Sequence, residues 1–326
     1  MFNFSYKYCD HVAYLHQLAA FIGVPLNENV LHLPPEFGSG YIKVIELPNG
    51  LQVLINDCVL HQDVCIRREE SDGTEYTLRF DEVRNMKALT LKMGELILEE
   101  DNQVYSGAFL TSSFPSLEYT TTAGAESRCV NIYFTEEWFN THLGLSRTDD
   151  LLTKYLSLNT ATFNFEVLNI EYRQLMEEIF SLKEGHPIYK NVLQNRVMLL
   201  IENFLISLYN RLTVSGKEIT HEENEIKRMM QVESVLVRNL SVAPPAIPHL
   251  ARLSMMSETK LKALFKKVYH YAPYEYYQKN RMLKAKYLLN TKHYTIKEVG
   301  VQLGFKNLSN FTVAFKKEFG ILPSDV

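Results

Sequence analysis

The chain has 326 residues, 46% of them hydrophobic and 22% charged, enough for two domains with separate cores and ordinary for a soluble protein. The most apolar run, Met198 to Tyr209, is short and is interrupted by Glu202 and Asn203, so no transmembrane span is expected. The net charge of −4 is unevenly spread: Pro244 to Val326 hold fourteen Lys or Arg against five Asp or Glu, a surplus of +9, which leaves −13 for the rest.

Met1 to Asp10 lack a basic segment followed by an apolar one, so no signal peptide is expected. The four cysteines, Cys9, Cys58, Cys65 and Cys129, form no CxxC pair, which fits reduced thiols in a cytoplasm. Residues 11–22 (HVAYLHQLAAFI) read as an amphipathic helix ending at Gly23 and Pro25.

From Tyr41 to about Phe134, short runs of Val, Ile, Leu, Tyr and Thr alternate with turn signals. These are Pro48-Asn49-Gly50, Asn56-Asp57, Ser71-Asp72-Gly73 and Asp101-Asn102. Tyr76, Leu78 and Phe80 alternate with Thr77 and Arg79, the period of a half-buried strand. Such spacing predicts a small β-sandwich or barrel.

Thr135-Glu136-Glu137-Trp138 opens a helical stretch, continued by helical patterns at 166–183 and 188–212 with Gly185-His186-Pro187 between them. In the second pattern Leu193, Val197, Leu200, Ile201, Phe204, Leu208 and Leu212 form a stripe that must be buried, either in an intramolecular core or against a second copy. Ser215-Gly216-Lys217 marks the expected domain boundary, and Thr220-x-x-Glu223 offers a capping box for the next helix.

Two similar units follow. Ile247-Pro248-His249-Leu250-Ala251 starts a short helix, Met255-Met256 fill a turn, and Ser257 caps a second helix. There Leu261, Leu264, Phe265 and Val268 share one face, while Thr259, Lys262, Ala263 and Lys266 fall on the other. In the second unit Thr295-x-x-Glu298 is a capping box, Val299 and Leu303 face inward, and Gly304 permits a sharp turn. Asn307 caps a helix with Leu308, Phe311, Ala314 and Phe315 inward and Ser309, Val313 and Lys316 outward; Asn310 and Thr312 flank them.

Pro273 starts a helix that joins the two units and runs to about Leu289. At roughly 1.5 Å per residue it spans about 25 Å, so two flanking units of ordinary width could reach major-groove faces about 34 Å apart. Two helix-turn-helix units on a basic tail, each showing small and cationic residues away from its core, suit a DNA groove.

These residues resemble the AraC/XylS family of bacterial regulators over roughly Glu225 to Ser324. The parts stand in order: Leu250-Ala251, Met256-Ser257, Leu261, Leu264-Phe265-Lys266-Lys267, Pro273, Tyr276-Tyr277, Arg281, Ala285, Leu288-Leu289, Ile296-x-Glu298-Val299, Leu303-Gly304-Phe305, Ser309-Asn310-Phe311, Phe315-Lys316-Lys317, Phe319-Gly320 and Pro323-Ser324. The resemblance implies an α+β protein: a small cupin-like β-barrel with C-terminal helices, followed by an all-α domain of two helix-turn-helix units. The expected boundaries are 1–215 for effector sensing or dimerisation (β-rich 41–134, helical 135–214) and 216–326 for DNA binding, with the units at about 247–270 and 295–319 and the joining helix at about 273–289.

The resemblance also implies promoter binding, control of transcription, usually by helping to recruit RNA polymerase, and an N-terminal domain that binds a small effector, dimerises, or both. Base-reading roles carry over to Thr259, Lys262, Ala263, Ser309, Asn310 and Val313. Phosphate contact suits Lys266, Lys267, Lys316, Lys317 and Arg281, because flexible cations position without specifying. Lys284 and Lys286 on the joining helix are solvated or meet phosphates as well. The sequence departs from the family where an arginine often stands on each reading helix: Ala263 and Val313 cannot pair with guanine in two hydrogen bonds, though Val313 can touch a thymine methyl. Gly300 replaces the usual Ala, His270 a usual Gly and Leu322 a usual Thr. The sequence stops at Val326, where the family often carries another basic residue.

The front half shows no HExxH helix, P-loop or GxSxG elbow, and no His-x-His cluster of metal-binding cupins. His11 and His16 lie five apart, unlike a helical metal pair. Neither clustered zinc cysteines nor the cysteine-histidine motif of repair methyltransferases with such DNA modules can be read. No cofactor, metal or enzymatic activity is expected, and the protein should be cytoplasmic, at the nucleoid. Three readings remain for this half: a barrel that binds a small molecule, a domain that only dimerises or binds protein, and an enzyme fused to a DNA module. If a ligand exists, Arg67 and Arg79, both in candidate strands, are the anchors to consider for an anion.

Overall fold

The computed structural model describes residues 1–71, 75–94, 96–100, 104–113, 115–143, 166–214 and 219–326. The chain forms two compact units, one of Met1–Glu166 with His186–Ile219 and one of Val167–Gly185 with Thr220–Val326. The architecture is α+β, with a β-rich N-terminal part and a helical C-terminal part.

The first unit contains eleven described strands: β1 (Phe2–Tyr6), β2 (Val30–His32), β3 (Gly38–Glu46), β4 (Gln52–Leu60), β5 (Val64–Arg68), β6 (Glu75–Arg84), β7 (Leu89–Met93), β8 (Leu96–Glu100), β9 (Val104–Ser112), β10 (Leu117–Thr121) and β11 (Glu126–Thr135). They build a five-stranded sheet, β1-β5-β10-β7-β8, and a six-stranded sheet, β2-β3-β4-β11-β6-β9. The ladders are antiparallel except β1 with β5, which run parallel with Phe4 opposite Ile66.

The sequence reading placed no strand before Tyr41. Alternation of Phe2, Phe4 and Tyr6 marks β1, but its partner lies some sixty residues away, and parallel pairing leaves no hairpin turn to read. Helix α1 (His11–Ile22) has the predicted bounds: Asp10 accepts a hydrogen bond from Ala13 N at 2.8 Å, and Gly23 closes the C-terminus at φ 76°. Its inner face packs with Phe4, Leu31, Val44 and Leu54.

Helix α2 (Glu136–Leu143) follows the last strand, and Trp138 donates its indole N–H to Asn49 O at 2.7 Å. Helix α4 (Tyr189–Val214) buries Leu193, Val197, Leu200, Ile201, Phe204 and Leu208 within the single chain, so these six need no second copy. The Leu212 side chain, the turns at Asp72-Gly73 and Asp101-Asn102, the boundary Ser215-Gly216-Lys217 and the side chains of Thr220 and Glu223 lie outside what is described.

The second unit takes in α3 (Ile170–Phe180), α5 (Ile219–Val237), α6 (Ile247–Leu253), α7 (Glu258–Tyr269), α8 (Pro273–Asn290), α9 (Ile296–Gln302) and α10 (Leu308–Phe319), ending in a 3-10 turn at Pro323–Asp325. The sequence reading grouped α3 with the front half. Polar chemistry draws it into the second unit: Arg173 on α3 donates to Glu233 on α5 at 2.7 Å, and Tyr276 on α8 donates to Glu233 and to Leu168 O, both at 3.1 Å. A guanidinium inside a hydrophobic unit is stable only where such partners exist.

Candidate nucleic-acid interface and ligand cavity

The second unit carries two helix-turn-helix pairs, α6–α7 and α9–α10, joined by α8. Pro248 suits the first turn of α6, where its missing N–H has no helical duty. Ser257 Oγ accepts from Lys260 N at 3.2 Å and starts α7. Leu261, Phe265 and Tyr269 are buried, while Leu264 and Val268 are half-buried. Thr259, Lys262, Ala263, Lys266 and Lys267 are all exposed, as a groove-facing surface requires. Lys262 lies 4.0 Å from Glu258, one turn earlier.

The second pair repeats the arrangement with better caps. Thr295 Oγ1 accepts from Glu298 N at 3.2 Å, and Glu298 Oε2 accepts from Thr295 N at 2.7 Å. The Thr295 N–H, and then the Thr295 hydroxyl donating at 2.8 Å, hold the Glu298 carboxyl below its ordinary pKa. Gly304 turns the chain at φ +74°, and a Cβ there would stand 1.8 Å from Ser241 O, so both conformation and space demand glycine.

Asn307 Oδ1 accepts from Ser309 N at 2.8 Å and starts α10, whose Phe311 and Phe315 are fully buried. Ser309, Asn310, Val313, Lys316 and Lys317 are exposed, Val313 to 68%. Leu308, expected inward, is 43% exposed, and Ala314 is half-buried. Leu308 is the first residue of its helix and has no preceding turn to cover it.

Helix α8 has eighteen residues, about 27 Å at the usual rise. Arg281 serves the fold: its Nε donates to Leu303 O at 2.8 Å, its Nη2 reaches the same oxygen, and its guanidinium lies 3.8 Å from the Phe305 ring centroid. It thus satisfies a carbonyl left open at the C-terminus of α9, where positive charge is also favoured. This sets Arg281 apart from Lys266, Lys267, Lys316 and Lys317, which project from exposed faces. Lys279 and Glu318 tie α8 to α10 at 2.8 Å.

In the first unit, residues of both sheets and of α1 enclose a cavity of about 120 Å³. Arg68 and Tyr119 come from the five-stranded sheet, Arg79 and Asp81 from the six-stranded one, and His11 and Tyr14 from α1. Arg79 Nε donates to Asp81 Oδ2 at 3.0 Å. Burial works against the Arg79 charge, but Asp81 offsets it and its pKa is raised. Burial, and then Arg79, push the His11 imidazole down to about 3. Burial likewise raises the phenols of Tyr14 and Tyr119.

Of the two arginines singled out from sequence, Arg79 lines this cavity. Arg67 does not: its side chain is 59% exposed and pairs with Glu118 on the surface. Arg68, passed over in the sequence reading, takes the inner position. Strand alternation held the signal, since Arg68 shares a face with Val64 and Ile66.

Among the described residues no group of three His, Cys, Asp or Glu is placed to hold a metal, and no helix is long and apolar enough to cross a membrane. The four cysteines are free thiols.

Comparison with known proteins gives two family matches: "Helix-turn-helix domain" over residues 250–326 and "Regulatory protein PchR N-terminal domain" over residues 37–185. The chain is similar to "HTH-type transcriptional regulator GbdR" of Pseudomonas aeruginosa, 31% identical over 98 residues, which cover 30% of this chain and 26% of that protein. It is also similar to "Histidine kinase P4" of Formosa agariphila, 24% identical over 194 residues, or 58% of this chain and 14% of that one. The chain therefore spans about a quarter or less of the length of these relatives. Among solved structures, a probable AraC family transcriptional regulator from Rhodopseudomonas palustris is 26% identical, covering 30% of this chain and 93% of that chain, with a TM-score of 0.28. Residues 250–326 thus carry a helix-turn-helix domain of the AraC type, and residues 37–185 are similar to the N-terminal domain of a regulatory protein.

Proposed function

We propose that this protein is a sequence-specific, DNA-binding transcription regulator without enzymatic activity, controlled by a small-molecule effector in its first unit. One observation carries the reading: α7 and α10 present equivalent exposed faces, each capped at its N-terminus and joined through one rod. Thr259, Lys262 and Ala263 on one face, and Ser309, Asn310 and Val313 on the other, read base edges. Lys266, Lys267, Lys316 and Lys317 bind phosphates. Arg281 can add a phosphate contact only from the part of its guanidinium not committed to Leu303. In this reading sensing and DNA binding divide at about residue 215, except that α3 packs with the second unit; the protein acts in the cytoplasm at the nucleoid, and bound protein helps to recruit RNA polymerase.

Selection of random duplexes with the full chain, followed by footprinting, tests the proposal. The expected result is a motif whose two halves lie about one helical turn apart. Recovery of no preferred sequence at low ionic strength would overturn it.

A second reading gives the first unit a dimerising role. Leu199, Ile206 and Tyr209 of α4 are exposed away from its buried stripe, a surface that suits a second copy. Sedimentation of the full chain with and without operator decides between a monomer and a homodimer.

A further inference from the structure

Among the described residues, Arg68 is the one member of the cavity wall whose charge lacks a counter-ion. Its side chain is buried, with 3% of the residue exposed. Its Nη2 donates to Ser112 O at 3.0 Å and Pro115 O at 2.7 Å, and its guanidinium lies 5.0 Å from the Tyr8 ring centroid. Its Nε has no hydrogen-bond partner, and among the described residues no carboxylate pairs with it. Burial is the main influence on its pKa and lowers it, with Arg79 acting in the same direction; the partial help comes from Tyr6 and Tyr8, which are neutral phenols.

Elsewhere in the cavity the charges cancel, since Asp81 is matched to Arg79 at 3.0 Å and His11 is neutral at physiological pH. The wall is therefore left with one positive charge. Beside Arg68 stands Tyr119, whose hydroxyl is buried and without a partner; Tyr119 pairs with Ile66 across the ladder, and Arg68 is two residues on from Ile66. Opposite these donors, Ile42 and Leu54 supply apolar surface, as do Ile66 and Leu117 on their own sheet. A buried, unpaired cation is costly, and such groups persist chiefly where function requires them.

We propose that this cavity binds a small organic monoanion, a monocarboxylate whose anionic end meets Arg68 and Tyr119 and whose apolar body lies against the Ile and Leu side chains. The inference rests on the reading of the first unit as an effector-binding unit and names the effector's chemical class. An apolar cavity of about 150 Å³ accommodates a benzene ring, so about 120 Å³ sets the scale at a short branched chain or a single ring. The lining is mixed, with Asn56, Thr77, Ser127 and Asn131 among its polar groups, and its four aliphatic side chains favour an organic acid over an inorganic ion.

The test uses the full chain with benzoate, its neutral isostere benzamide, and inorganic phosphate, followed by calorimetry at concentrations up to about 10 mM, where a ligand of this size should be bound. Benzoate should bind at least about tenfold more tightly than benzamide or phosphate, a difference typical of one charge-assisted pair. Arg68→Lys, which keeps the charge but loses the planar fork, should weaken benzoate about tenfold, and Tyr119→Phe should weaken it less. Trp138 fluorescence verifies that each variant is folded; if Arg68→Lys does not fold, Tyr119→Phe and the benzamide comparison still decide.

Benzamide or phosphate binding as tightly as benzoate would overturn the anion site, as would no benzoate binding at all. DNA affinity measured with each bound probe keeps the two claims apart. A neutral probe that binds and alters DNA affinity defeats the anion class and leaves effector control standing. Benzoate that binds at Arg68 without altering DNA affinity does the reverse.

Discussion

Arg173 and Glu233 form an ion pair at 2.7 Å with their side chains only 5% and 2% exposed, and the Tyr276 hydroxyl closes the cluster at 3.1 Å from the same carboxylate oxygen. Removing one partner strands the other charge in a medium that cannot solvate it. Glu233→Ala should destabilise the second unit by about 3–5 kcal/mol. A double replacement, Arg173→Met with Glu233→Leu, should cost much less. Urea unfolding followed by far-ultraviolet circular dichroism measures both, and equal losses in the two variants would refute the argument.

Arg281 and Lys316 should separate fold from DNA contact. Arg281→Ala leaves Leu303 O without its charged donor and should cost about 1–3 kcal/mol of stability. Lys316→Ala touches an exposed cation, so stability should change by less than about 0.5 kcal/mol. Its effect belongs in binding: the slope of log K against log salt should shallow by about one unit, uniformly across sequences. An unchanged slope argues against a phosphate role for Lys316.

His270 holds the left-handed position after α7 at φ 66°, as Gly320 does after α10 at φ 74°. A side chain at such an angle is strained, so His270→Gly should raise stability by about 1 kcal/mol. Gly304→Ala should do the opposite and far more severely, because its Cβ would meet Ser241 O at 1.8 Å. Gly300→Ala tests the rule from the other side: it lies inside α9 at ordinary φ, and its new Cβ would stand 3.3 Å from Leu308 Cδ1, a partly exposed methyl that can shift. A gain of about 0.5–1 kcal/mol is expected there. Thermal midpoints of the three variants give the signs directly.

His11 predicts a pH dependence of the first unit. Its pKa is lowered to about 3 by burial and by Arg79, against 6.5 in an unfolded chain. Between those values the unfolded chain takes up a proton that the folded chain refuses. Stability is therefore retained above about pH 6.5 and lost as pH falls toward 3, by up to about 1.4 kcal/mol per pH unit. Trp138 is the sole tryptophan and is buried in this unit, so its fluorescence reports the urea midpoint there. His11→Gln should flatten the profile between about pH 6.5 and 5; identical profiles would sink the assignment.

The helical half was more legible than the β half, and the reason lies in how local the determinants are. Ser257, Thr295 and Asn307 each cap a helix within three residues of themselves, and Pro273 sets its own backbone angle, so a short window of sequence contains the whole cause. Strand β1 needs β5, and α3 needs Glu233, partners about sixty residues distant in each case. The exposed residues of α7 and α10 could be placed by helical period alone. Arg68 needed only the two-residue period of its strand, which puts it in phase with Val64 and Ile66 and leaves Arg67 on the outer face.

The assignment of Val167–Gly185 to the second unit and His186–Ile219 to the first means that the backbone passes from one unit to the other three times. A clone cut at a single point near residue 216 would omit Arg173 and leave Glu233 and Tyr276 facing an empty socket. The core of the second unit is thus assembled from two separate stretches of sequence, and a single splice point near residue 216 would part α3 from the core it completes.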